Sequence, residues 1–283
     1  NPDFVWENSN LKISNVMLYG NTKVHSNCIN RPNDLSSLLR ANISEDFNII
    51  NLAAKSSNGP IANYAVLKEY SEALKPRKIL WFFDEDIEFH SLLSELKNPF
   101  LKKYFEDNNY SQGLISKQRE INIIMKKKIQ SKLIIEKRKE KAMQQFDFDK
   151  FFKFLKLQFV RSEYLYKFFN IKNSENNMSA IPKEFTKLLN LVFEFSNDIN
   201  SDAYFVFLPS YKRFFAEHDF DKDLSKETMN IAKKIGFKTI DLTDDFKNYE
   251  DPKRLFAVKY FHGYSKEANE LISKKILNEV FKN

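Results

Sequence analysis

Five short apolar runs punctuate this chain, at residues 16–19, 47–52, 78–83, 203–208 and 237–242, each bounded by polar turn residues. Apolar side chains at successive positions over so few residues are the mark of strands covered on both faces. Between the runs the spacing becomes helical: Leu35, Leu38 and Leu39; Tyr64, Leu67, Lys68 and Leu74; Phe185, Leu188, Leu189, Val192 and Phe193; Leu271, Ile272, Ile276 and Val280. Strand alternating with helix is the pattern of βαβ units, whose strands lie parallel with helices on either side. The expected fold is a three-layer α/β/α sandwich around a mainly parallel five-stranded sheet.

The alternation lapses for about a hundred residues between the third and fourth runs. There Ile121, Met125, Ile129 and Leu133 recur at helical spacing, then Phe148, Phe152, Leu155 and Phe159, and residues 173–179, rich in Asn and Ser, read as a returning loop. This predicts a helical insertion over residues 108–180, two helices that pair or lie over the carboxyl ends of the strands, inside one domain of 283 residues.

The net charge of +7 belongs to that insertion: residues 126–153 hold ten Lys or Arg against four Asp or Glu, which leaves the remainder nearly balanced. A solvated helix face accounts for this better than a nucleic-acid surface, and contact with anionic lipid or an acidic polymer ranks second. No nucleic-acid partner is expected, and no stretch is long and apolar enough for a membrane span. The lone Cys28 and four scattered His make a zinc site of those ligand types improbable, so no metal is expected. With five glycines in the chain there is no Gly-x-Gly-x-x-Gly, phosphate-cradling loop or Gly-x-Ser-x-Gly elbow, and no cofactor is expected. The first residue is Asn1, which leaves room for a removed signal peptide or anchor; with Cys28 unpaired, the setting is a reducing compartment or, as favoured here, a bacterial periplasm or cell envelope.

Chemistry concentrates where the first apolar run meets a polar loop, Val16-Met-Leu-Tyr-Gly-Asn-Thr-Lys-Val-His25. This resembles the first block of the SGNH/GDSL hydrolases, an apolar strand followed by Gly-Asp-Ser with the serine as nucleophile; the matching positions here are Gly20, Asn21 and Thr22. The second block of that family looks like residues 49–60, with Ala53 where a glycine amide would help form the oxyanion hole. The third, normally Gly-x-Asn-Asp, falls on Asp84-Glu-Asp-Ile-Glu88, where Glu85, Asp86 or Ile87 replaces the asparagine donor. The fourth looks like residues 255–269, where His262 stands near the position of the base and Lys259 replaces the orienting aspartate. The segment 204–211, ending in Pro-Ser-Tyr, resembles a late strand whose turn opens on the substrate side.

The resemblance implies an SGNH-hydrolase or flavodoxin-like fold and an ester as substrate, with Thr22 and His262 as the catalytic pair. Gly20, Asn21, Ala53, His25 and Glu85 would line the substrate side. Four departures at four chemical positions favour a degenerate site: a binding protein for an acylated glycan or similar ester, with a possible envelope partner, that hydrolyses its ligand poorly or not at all. The alternative is an active esterase or O-acyl-transferring enzyme using Thr22 and His262. Taken by themselves, Thr22 reads as a loop hydroxyl, His25 as a loop histidine, His90 and His218 as surface residues, and the acidic run 84–88 as a solvated turn at a strand end. Ser265 is the expected N-cap of the last helix, with Glu267 in its first turn.

Overall fold

In this computed structural model the described residues are 13–26, 29–53, 59–144, 180–215, 224–258 and 261–282. Chain order gives β1 (Ser14–Tyr19), α1 (Thr22–His25), α2 (Leu35–Asn42), β2 (Phe47–Asn51), α3 (Pro60–Leu74), β3 (Pro76–Asp84), α4 (Glu88–Glu95), α5 (Pro99–Glu106) and α6 (Gln118–Gln144). Then follow α7 (Lys183–Asp198), β4 (Asp202–Leu208), α8 (Lys212–Phe215), α9 (Ser225–Ile235), β5 (Lys238–Asp241) and α10 (Thr243–Lys247). A 3₁₀ turn (Pro252–Leu255), a hairpin of β6 (Phe256–Val258) and β7 (Phe261–Tyr264), and α11 (Lys266–Ile276) with a terminal π turn (Leu277–Phe281) complete the described chain.

The five apolar runs form one sheet in the order β2-β1-β3-β4-β5, and all four ladders are parallel. Period-two alternation then sends each strand's side chains to opposite layers. Val16, Leu18, Leu80, Phe82, Val206 and Leu208 share one core with Leu35, Leu39, Ile272 and Ile276, which brings α2 and α11 onto that face. Met17, Trp81, Phe83 and Phe205 alternate with them, and Phe83 meets Phe185 of α7 at 5.3 Å and Phe89 of α4 at 5.1 Å. Burying each such side chain is worth about 1.5–3 kcal/mol, so this double-sided apolar content is what commits the chain to three layers.

Local signals set the helix ends. Asp34 caps α2 by accepting from Ser37 N at 3.1 Å, Pro60 starts α3, and Ser265 caps α11 by accepting from Ala268 N at 3.3 Å, with Glu267 in the first turn as expected. Gly236 ends α9 at φ 122°, where any Cβ would also meet Phe193 Cζ at 2.4 Å.

The chain divides into two compact units, residues 1–112 with 179–283, and 113–178. The first holds the sheet. The second contains α6, which includes Ile121, Met125, Ile129 and Leu133 and exposes Ile123, Ile124 and Met125 among its lysines. The second helical stretch expected there, at Phe148 to Phe159, lies outside the described residues, as do Cys28, His218 and Lys259. No helix among the described residues is long and apolar enough to cross a membrane.

Candidate functional site

A parallel sheet in this order changes winding direction between β1 and β3, and ligands of such folds bind outside the carboxyl ends of the strands at that switch. The residues there are Gly20 and Asn21 after β1, Asp84 at the end of β3, and Pro209 and Ser210 after β4.

The polar stretch after β1 is helical rather than a loop. Asn21 caps the four-residue α1, its side-chain oxygen accepting from Lys23 N at 2.9 Å, and Ser26 ends the helix in the left-handed region. Gly20 lets this turn seat closely, since a Cβ there would meet Val24 Cγ2 at 2.6 Å. Thr22 is half-buried at the start of α1, His25 is exposed at its end, and Lys23 turns inward.

Lys23 organises the site. Its ammonium is buried, 2.7 Å from Asp84 Oδ1 and 3.0 Å from Asp86 Oδ2, with the Tyr264 ring centre 5.0 Å away. Asp84 also accepts from Asn21 Nδ2 at 2.8 Å and from Asp86 N at 3.0 Å. Ser210 Oγ donates to Asp86 Oδ1 at 2.5 Å, and Tyr264 OH donates to Pro209 O at 2.9 Å. Burial alone would drive the Lys23 amine toward neutrality, but Asp84, then Tyr264 and Asp86, outweigh it and hold its pKa well above the ordinary lysine value. The residue therefore sits there as a cation.

The acidic run is not a solvated turn. Asp84 and Glu88 are 1% and 2% exposed. Sequence position places them at a strand end, but four carboxylates in five residues look solvent-bound only if no buried cation awaits them. Glu85, expected to face substrate, accepts from Ser210 N at 2.9 Å and is clasped by the Arg213 guanidinium. Glu88 is the poorly matched member: its buried carboxyl has no side-chain hydrogen-bond partner among the described residues and only the Asp84 backbone beside it, and burial, then the nearby Asp84 charge, push its pKa well above the usual carboxylate range.

The backbone donors are engaged as well. Ala53 N, expected to serve an oxyanion, donates to Asn51 Oδ1 at 3.0 Å. At the start of α3, Gly59 N, Ile61 N and Ala62 N donate to the Glu95 carboxylate at 2.9, 2.8 and 3.3 Å. The stretch expected as the base-bearing loop is instead the β6–β7 hairpin, whose Phe256 pairs with Tyr264. His262 lies in β7 by its backbone, and its side chain lies outside the described residues. His90 is exposed. Among the described residues no three His, Cys, Asp or Glu side chains converge as metal ligands.

Gly20, Asn21 and the Pro-Ser-Tyr turn stand at these strand ends, whereas the clustering of Lys23, Asp84, Asp86 and Tyr264 shows only in three dimensions. The usable signal was Lys23 directly after the polar turn at the end of the first strand, together with acids at the end of the neighbouring strand.

No protein-family model and no curated protein sequence matches this chain. Among solved structures it is similar to the psychrotrophic esterase EstA from Pseudoalteromonas sp., at 11% identity and TM-score 0.46 over 95% of this chain and 97% of that one. It is also similar to an acetyl xylan esterase, AlAXEase, at 10% identity and TM-score 0.47 over 94% and 100% of the two chains. A third, LAE5, an alpha/beta hydrolase enzyme from the metagenome of Lake Arreo, Spain, matches at 10% identity and TM-score 0.49 over 94% of each chain. The architecture rests on the strand order and register of this chain itself.

Proposed function

We propose that this protein is a non-hydrolysing α/β domain, SGNH-hydrolase-like in the order of its parts, that acts as a binding or scaffold protein. One observation supports the reading: the buried Lys23 ammonium is bonded to Asp84 and Asp86 at the carboxyl ends of the strands, beside the β1–β3 switch where folds of this kind bind ligands. Ester hydrolysis needs a nucleophile with a base in reach and donors left free for the charge that develops in the transition state. The amides of Ala53, Gly59, Ile61 and Ala62 are already bonded within the chain, and a buried cation beside the turn favours no base there. The ligand class, an acylated glycan or similar ester, and an envelope setting are carried from the resemblance alone.

The test is hydrolysis of a short-chain aryl ester by the wild type, Thr22→Ala and His262→Ala side by side. Equal rates are expected. A clear wild-type activity lost in both variants, and restored at residue 22 by Thr22→Ser, would replace this reading with the active esterase.

A further inference from the structure

We infer that the cage of Asp84, Asp86 and Tyr264 at the strand ends is a binding site for a primary alkylammonium ion and that its resident ligand is Lys23 of the same chain. A primary ammonium presents N–H donors and one positive charge, and the cage offers two carboxylate oxygens and an aromatic face to them. Asp84 Oδ1 and Asp86 Oδ2 accept at 2.7 and 3.0 Å and supply the counter-charge, while the face of Tyr264 lies 5.0 Å from Nζ. The walls are held by groups other than the Lys23 side chain. Asn21 Nδ2 and Asp86 N fix Asp84, Ser210 Oγ fixes Asp86, and the Tyr264 hydroxyl is tied to Pro209 O. Acceptors fixed in this way are preorganised for a guest, which an incidental pair of charged side chains is not. The guest arrives from α1, whereas the carboxylates and the ring that receive it come from the end of β3 and from the hairpin, with Ser210 after β4 and Asn21 at the α1 cap holding them in place.

The inference rests on the closed-site reading only in taking the occupant to be internal. It fails separately: an active esterase would overturn the proposed function and leave ammonium recognition standing. Two measurements test it. In wild-type protein with nitrogen-labelled lysine, the Lys23 ammonium is expected to give a slowly exchanging resonance near neutral pH, where exposed lysines exchange theirs away. A fast-exchanging or neutral Lys23 amine overturns the assignment. In Lys23→Ala, truncation leaves a slot the size of n-propylammonium, and that ion is expected to raise the unfolding midpoint saturably by several degrees. Wild type, whose slot is filled, is expected not to respond, and neither 1-propanol nor sodium chloride at matched ionic strength is expected to substitute. Equal responses of wild type and variant, or rescue by 1-propanol, would overturn the proposal. Where Lys23→Ala does not fold alone, its refolding yield is read with and without the ion. If it folds with neither, the inference fails on that arm.

Discussion

The two ends of the same sheet carry the same chemistry in opposite surroundings. At the carboxyl end Lys23 meets Asp84 and Asp86, and the side chains of Lys23 and Asp84 are 0% and 1% exposed. At the amino end Lys78 and Lys238 flank Asp202 at 3.7 and 2.9 Å, beside a notch of about 420 Å³, with Lys238 57% and Asp202 48% exposed. Both clusters stand against a tyrosine ring, Tyr264 in one and Tyr204 in the other, the latter 5.2 Å from Lys238 Nζ. Water solvates Asp202 and Lys238 at the amino end, though Lys78 is only 17% exposed, so the Asp202–Lys238 pair is nearly indifferent to the loss of either member. At the carboxyl end the protein is the solvent, and each group depends on the others being present.

Removing one buried partner gives the sharpest contrast. Lys23→Met should lower the unfolding free energy in urea by about 3–5 kcal/mol, because it strands Asp84 and Asp86 without their cation. A loss no larger than that from a surface pair would erase the distinction between the two ends. The wild-type contribution should also persist into alkali. The Lys23 pKa lies above its ordinary 10.5, so its stabilisation is complete below that value and is lost only as pH rises through the folded-state pKa.

Glu88 gives the next effect, with the opposite sign. Its folded-state pKa lies well above the ordinary 4.5, so native protein holds a proton that the unfolded chain releases, and stability falls as pH rises beyond that point. Glu88→Met removes both this penalty and a poorly partnered buried carboxyl. It should stabilise by about 1–3 kcal/mol near neutral pH, with a gain that widens from acid toward neutral pH in urea unfolding. A gain independent of pH would show that Glu88 is not held protonated.

The smallest effect belongs to the exposed cluster. Asp202→Asn should change stability by no more than about 1 kcal/mol, and added salt should remove most of the difference. The hydrogen bond from Lys238 holds the Asp202 pKa below its ordinary value. What it contributes is therefore present above the ordinary Asp range and lost as pH falls through the folded value. A larger, salt-resistant loss would mean that solvent exposure is not what separates the two clusters.

The sheet was legible because residues 16–19 and 203–208 place apolar side chains on both faces, a pattern few other structures share. The last helix was legible from Ser265 and Glu267 by the chemistry of helix starts. The site was legible only in position. Lysine and consecutive acids are read by default as surface residues, and only tertiary proximity across 61 residues between Lys23 and Asp84 makes them interior ones. The β6–β7 hairpin escaped because its pairing of Phe256 with Tyr264 joins very short strands, with no alternation long enough to count.

The charge cluster also imposes a schedule on the chain. Its members begin at Asn21 and end at Tyr264, and Ser210 reaches Asp86 across 124 residues. On a ribosome, Lys23 and its first carboxylate are made well before the tyrosine that closes the cage, which follows Asp84 by 180 residues. Until then the amino-terminal turn has half a binding site and a hydrated ammonium, and contacts of such sequence separation are the slow ones to form. The cluster is thus a completion mark: it dehydrates only once β3, β4 and the hairpin have all arrived.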